Sequence, residues 1–223
     1  NNDGVMDLAV GVPGWYPASR VGATDGQVLV YLGGSNGLTS NPWWTANGSD
    51  NESLGSTLRA LDRINLPSSL AVAAHGYSME VSASQTDQGK VNIYDGGELG
   101  LTHVRNLTQS KAGEMFGRAL EGCDVNGDGH EELMVSNTGS YEDPLSYSSI
   151  EYFYGSASGY AGTPDHSIEP LTQGRLFGFN MVCVGDINGD GLDDHIITEP
   201  YNTTSGVFGT GVLWLYEGTN GSL

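Results

Sequence analysis

Two nonapeptides in this chain place oxygen-bearing side chains at one spacing. Asp124-Val-Asn-Gly-Asp-Gly-His-Glu-Glu132 and Asp186-Ile-Asn-Gly-Asp-Gly-Leu-Asp-Asp194 carry Asp124, Asn126, Asp128 and Glu132, and Asp186, Asn188, Asp190 and Asp194, at positions 1, 3, 5 and 9. A hard cation such as calcium takes roughly six to eight oxygens, which so short a loop supplies only by curling tightly. Gly129 and Gly191 at position 6 permit the sharp turn. The carbonyl at position 7, of His130 or Leu192, can then face inward as a further ligand. Carboxylates packed this closely repel one another unless a cation lies between them.

An EF-hand would need a bidentate Glu at position 12 and flanking helices. Position 12 is Val135 or Ile197, and the following Leu133-Met-Val-Ser and His195-Ile-Ile-Thr are apolar and β-prone, so each loop leads into a strand. Asp/Asn/Gly-rich stretches also make plain turns. Two complete copies at one internal spacing favour the calcium loop.

The elements around these loops repeat. Asp124 and Asp186 lie 62 residues apart; the same step back reaches Asp62. One more step places Asn1-Asn-Asp-Gly-Val-Met-Asp7 as positions 3 to 9 of the loop, with Asn1, Asp3 and Asp7 as side-chain ligands and Val5 as the backbone one. A second marker agrees: Gly26-Gln-Val-Leu-Val-Tyr-Leu-Gly33, Gly89-Lys-Val-Asn-Ile-Tyr-Asp-Gly96, Ser148-Ser-Ile-Glu-Tyr-Phe-Tyr-Gly155 and Gly211-Val-Leu-Trp-Leu-Tyr-Glu-Gly218. A third precedes the loops: Leu54-Gly55, Phe116-Gly117 and Phe177-Gly178. Three markers in one register define a repeat protein, with approximate repeats 1–61, 62–123, 124–185 and 186–223 in one domain or part of one.

Each unit reads as four short strands. One runs from the Phe-Gly pair to the loop, and one follows the loop. The third is the Gly-x-Val-x-Val-Tyr segment, and a weaker fourth falls near Trp43–Ala46, His103–Leu107 and His166–Ile168. No convincing amphipathic helix is present. The expected class is all-β, with four-stranded antiparallel units as β-propeller blades.

Composition bounds the partners. The chain has 223 residues, 34 glycines and a formal net charge of −19. Phosphate-rich nucleic acid and anionic lipid surfaces call for a basic face, so both are disfavoured, whereas divalent cations suit the balance. No apolar run approaches the ~18 residues of a membrane span, so no membrane insertion is expected in this segment, and the missing leader says nothing about secretion. Cys123 and Cys183 each lie just upstream of a loop. One disulfide between neighbouring units and two small buried hydrophobes fit the sequence equally. Five N-glycosylation sequons begin at Asn47, Asn51, Asn106, Asn202 and Asn220, each weak evidence alone.

Phe-Gly, then Asp-x-Asn-x-Asp-Gly-x-x-Asp, then Gly-x-Val-x-Val-Tyr resembles the FG-GAP repeat, the blade of the integrin alpha-subunit propeller, related copies of which occur in microbial surface proteins. The resemblance covers the whole chain as about three and a half blades. It implies calcium sites on the loop between the first two strands of a blade, with the ligand positions named above. It also implies adhesion to a protein or glycan and an extracellular or cell-surface location.

Departures from the pattern carry expectations of their own. The second loop, Asp62-Arg-Ile-Asn-Leu-Pro-Ser-Ser, is one residue short and lacks acids at positions 3 and 5, so it is expected to hold no cation. Glu132 replaces the usual Asp and is expected to reshape its site. His195 stands at an apolar position and reads as a satisfied, partly buried histidine. The first unit lacks its first strand and the last its fourth. The chain is therefore expected to be an excerpt of a larger, possibly seven-bladed propeller. The other reading is that a neighbour supplies the strands, which would give self-association in a head-to-tail assembly.

Catalytic patterns are few. No His-Glu-x-x-His or phosphate-binding glycine loop occurs, and the tandem acids Glu131-Glu132 and Asp193-Asp194 sit inside the calcium loops. Exposed aromatics at Trp15-Tyr16 and Trp43-Trp44 could stack on a ligand, but in β repeats such residues more often pack between blades. The segments Tyr141–Tyr147 and Tyr201–Phe208 fall in the variable loop between second and third strands, where binding residues tend to lie. The sequence thus points to a non-enzymatic, calcium-stabilised binding module. A structural subunit of a filament or coat, and an accessory propeller of a secreted carbohydrate- or lipid-degrading enzyme, are the alternatives.

Overall fold

The computed structural model describes residues 1, 3–75, 89–108, 115–138, 148–170, 176–202 and 210–219. Among the described residues, alternating apolar residues bounded by Gly/Asn/Ser turns form fourteen strands and no helix. The first sheet comprises β1 (Leu8–Val12), β2 (Gln27–Tyr31) and β3 (Trp44–Asn47). The second comprises β4 (Leu54–Leu61), β5 (Ser69–Ala74), β6 (Lys90–Asp95) and β7 (Thr102–Thr108). The third comprises β8 (Leu120–Cys123), β9 (Glu132–Asn137), β10 (Ser149–Phe153) and β11 (His166–Ile168), and the fourth β12 (Met181–Gly185), β13 (Asp194–Glu199) and β14 (Val212–Tyr216).

Every sheet is a meander with neighbours paired antiparallel in chain order. The β1, β4, β8 and β12 strands contact one another in sequence, and the sheets stack face to face. These are propeller blades.

Period-2 alternation explains the stacking. In β5, Leu70, Val72 and Ala74 face the first blade, packing with its Val28 and Val30 and with Leu54 of β4. Ala71 and Ala73 of the same strand face the third blade, beside Phe116, Leu133, Val135 and Phe153. The third blade in turn sends Met134, Ile150 and Tyr152 toward Phe177, Met181 and Ile197 of the fourth. The core is thus three slabs between blades. On the far side of the fourth sheet, Val182, Ile196 and Leu215 stand directly opposite one another, with Val182 and Leu215 exposed beside Leu213.

The Phe-Gly pair locks the slabs between the second and third and between the third and fourth blades. Phe116 and Phe177 are fully buried. Gly117 and Gly178 adopt φ of +90° and +79°, a region costly for any residue with a Cβ. Space is short as well: a Cβ on Gly178 would lie 2.4 Å from Ile150 Cδ1 and 3.1 Å from Ser136 Cβ.

Candidate metal centres

The loop Asp124–Glu132 joins β8 to β9, and Asp186–Asp194 joins β12 to β13. The partial loop Asn1–Asp7 leads into β1. All three are built by one hydrogen-bond pattern. The position-3 oxygen accepts the position-5 amide: Asn126 from Asp128 at 2.9 Å, Asn188 from Asp190 at 2.9 Å and Asn1 from Asp3 at 3.2 Å. The position-5 carboxylate accepts the position-7 amide: Asp128 from His130 at 2.9 Å, Asp190 from Leu192 at 2.9 Å and Asp3 from Val5 at 2.8 Å. Asp124 and Asp186 at position 1 each take the position-5 and position-6 amides. In the two complete loops positions 4 and 6 carry glycine at positive φ, as at Gly189 (+84°) and Gly191 (+91°), which lets successive side chains turn to one centre.

The position-9 acid performs a second task. Its carboxylate accepts the amide of the glycine that ends the third strand: Asp7 from Gly33 at 2.9 Å, Glu132 from Gly155 at 3.4 Å and Asp194 from Gly218 at 2.9 Å. In the two complete loops it also accepts the position-2 amide, Val125 at 3.0 Å and Ile187 at 3.1 Å. Each complete candidate centre therefore ties three strands of its blade, and the partial one ties β1 to the end of β2. The recurring terminal glycine was visible in the sequence as a repeat marker, but its bond to the acid was not.

The donor set fits a hard divalent cation. Oxygens of Asp, Asn and Glu and a turning backbone are what calcium takes. Glu132 and Asp194 are fully buried, and no Lys or Arg pairs with Asp124, Asp128, Glu132, Asp186, Asp190 or Asp194 among the described ion pairs. Burial, with the Asp128 and Asp124 carboxylates alongside, pushes the Glu132 carboxyl up to about 8. Such crowding is relieved by a cation.

The tandem acids divide their work. Glu132 and Asp194 face their own loops. Glu131 instead accepts the Asp62 amide at 2.8 Å across the blade boundary, and Asp193 lies near Cys183. The loops also join through their backbones, since Glu131 donates to the Asp62 carbonyl and Asp193 to the Asp124 carbonyl, each at 3.2 Å.

The second loop is built on a cation of its own. Arg63 Nη2 lies 3.0 Å from the Asp95 carboxylate and donates to the Pro67 carbonyl at 3.3 Å. Ser69, in the strand position that Glu132 holds in β9, bonds Asp95 at 2.7 Å. A guanidinium thus links the loop to the end of the third strand. Sequence reading missed this; the one available signal was a basic residue at position 2 of a loop that had lost its acids.

Cys123 and Cys183 form a disulfide between the β8 and β12 strands. Being bonded to each other, they and Asp193 are not a metal site. His195 is fully buried, its Nε2 2.6 Å from the Tyr152 hydroxyl and its ring stacked on Tyr216, and burial pulls its pKa down to about 4. Trp43 and Trp44 pack against the slab between the first two blades, with Trp44 edge-on to Tyr94 at 5.1 Å. Tyr16 is exposed. The stretch Tyr141–Tyr147 and most of Tyr201–Phe208 lie outside the described residues.

Residues 182–216, which span the last candidate loop and its sheet, match the family model of the FG-GAP repeat. The chain is 26% identical over 167 residues to integrin alpha-PS2 of Drosophila melanogaster, covering 65% of this chain and 12% of that protein. It is 30% identical over 131 residues to integrin alpha-3 of Mus musculus, covering 57% and 12%. The chain is an FG-GAP, integrin-alpha-like repeat protein. It is also 26% identical over 156 residues to a phosphatidylinositol-glycan-specific phospholipase D of Dictyostelium discoideum, covering 61% and 16%. The chain therefore spans 12% to 16% of the length of these relatives. No helix among the described residues is long and apolar enough to cross a membrane.

Proposed function

We propose that these FG-GAP blades form a non-enzymatic, calcium-stabilised module of an extracellular or cell-surface protein that binds a protein or glycan ligand. The observation that carries the calcium reading is the shared architecture of the loops at Asn1–Asp7, Asp124–Glu132 and Asp186–Asp194; in the two complete loops the position-9 acid, Glu132 or Asp194, is buried with no Lys or Arg partner among the described ion pairs. Calcium here is a staple and not a reagent: it gathers a loop and, by binding only the folded form, raises stability. The disulfide supports an oxidising location. Similarity to integrin alpha subunits supports adhesion, and this step rests on analogy.

The repeats 1–61, 62–123, 124–185 and 186–223 belong, in this reading, to one larger propeller. The exposed apolar row of Val182, Leu213 and Leu215 supports a further blade against the fourth. Similarity to a phospholipase D favours a second reading, an accessory propeller beside a separate lipid-degrading domain.

The test is thermal unfolding in 2 mM calcium and in EDTA. With dissociation constants of roughly 0.1–1 mM, typical of extracellular modules, each site is expected to add about 0.6–2 kcal/mol. Equal melting temperatures in the two buffers would overturn the calcium reading.

A further inference from the structure

The sequons differ sharply in what the fold does with them. Asn106 and Thr108 stand on the exposed face of β7, while Leu107 between them is fully buried and anchors the strand. Extended geometry places residues i and i+2 on one side, so the asparagine and the threonine both face solvent. The Asn106 side-chain oxygen is held by His103 Nε2 at 2.6 Å, which leaves the amide nitrogen as the group not engaged. Asn47, the last residue of β3, repeats the arrangement. It is exposed, its oxygen accepts from Gln27 Nε2 at 2.8 Å, and the following Gly48 is pinned by its amide to the Gly26 carbonyl at 2.9 Å.

The other described sequons are spent on folding. Asn202 is fully buried, and its amide nitrogen donates to Glu199 at 2.8 Å. Asn51 sits at φ +63°, holding the Thr24 amide at 3.0 Å, and its partner Ser53 is buried.

We propose that Asn47 and Asn106 are N-glycan attachment sites and that Asn202 is not one in the folded protein. The proposal rests on the extracellular reading above. The reaction needs a polyprenyl-diphosphate-linked oligosaccharide as donor. The amide Nδ2 loses a proton and bonds to the anomeric carbon, the anomeric C–O bond breaks, and the diphosphate carrier leaves with the electron pair. Both sites lie on the last strand of their sheets in the pairing order. Glycans there would cover open strand edges, which otherwise invite pairing with other chains.

The experiment is glycopeptide mapping of the chain secreted from a eukaryotic host, with Asn47→Gln, Asn106→Gln and Asn202→Gln alongside. The expected result is glycan on Asn47 and Asn106 in the folded, secreted pool and none on Asn202. Asn47→Gln and Asn106→Gln should each remove one glycan mass and leave the melting temperature unchanged, whereas Asn202→Gln should lower it. Bare Asn47 and Asn106, or a glycan on Asn202 in natively folded material, would overturn the assignment. Glycans at the two sites in the secretory host but none on the chain from its own cells would uphold the assignment and refute only the extracellular reading.

Discussion

Asp193 donates its amide to the carbonyl of Asp124, so the last candidate loop rests on the one before it. The equivalent bond joins Glu131 to Asp62 one blade earlier. Loop geometry in one blade is therefore set partly by its neighbour, and sites that share a bonded backbone need not titrate independently.

Asp190→Ala is expected to lower the melting temperature in calcium and to leave it nearly unchanged in EDTA. Through the shared backbone it should also weaken calcium binding at the Asp124 loop. Calorimetric titration of Asp190→Ala, Asp128→Ala and the double variant checks this. The expected coupling is about 0.5 kcal/mol or more; strictly additive losses would show that the backbone bond transmits nothing.

Arg63→Leu is expected to destabilise the protein equally with and without calcium. It removes the guanidinium from Asp95 and Pro67 and strands a carboxylate. Breaking a fully buried pair costs about 3–5 kcal/mol. Asp95 is a third exposed, so water offsets part of that and about 2 kcal/mol is expected. Denaturant unfolding in both buffers measures it, and a loss confined to calcium would show that the second loop also binds the metal.

Gly178→Ala is expected to cost roughly 1–3 kcal/mol, from the positive φ and the approach of Ile150 together. Adding Ile150→Val opens space but cannot relax the backbone. Partial recovery of stability in the double variant, read by chemical denaturation, is the expected outcome. Full recovery would assign the whole cost to packing.

The fold was legible because its signals are local and repeated. Three markers gave the register, and strands expected near Trp43–Ala46, His103–Leu107 and His166–Ile168 are β3, β7 and β11 within a residue or two of those bounds. Oxygen spacing likewise exposed the candidate ligands. What stayed hidden depends on contacts across long separations. The bond from Asp194 to Gly218, the turn of Glu131 toward Asp62 and the salt bridge of Arg63 to Asp95 each need two segments brought together by the blade. The pairing of Cys123 with Cys183 was left open for the same reason. His195 was expected to be partly buried and is wholly so. Its apolar position in the repeat was the better guide than its polarity, since Tyr152 satisfies one nitrogen within the slab.

The disulfide has a mechanical corollary. Cys123 and Cys183 are 60 residues apart in sequence, and the bond between them encloses most of the third blade. A pulling force applied to the two ends of the chain passes through the sulfurs and bypasses that segment. At about 3.3–3.6 Å per extended residue, roughly 200 Å of contour length is withheld from stretching until the bond is reduced. If the protein does tether surfaces under load, the third blade is the one whose extension is governed by redox chemistry and not by tension.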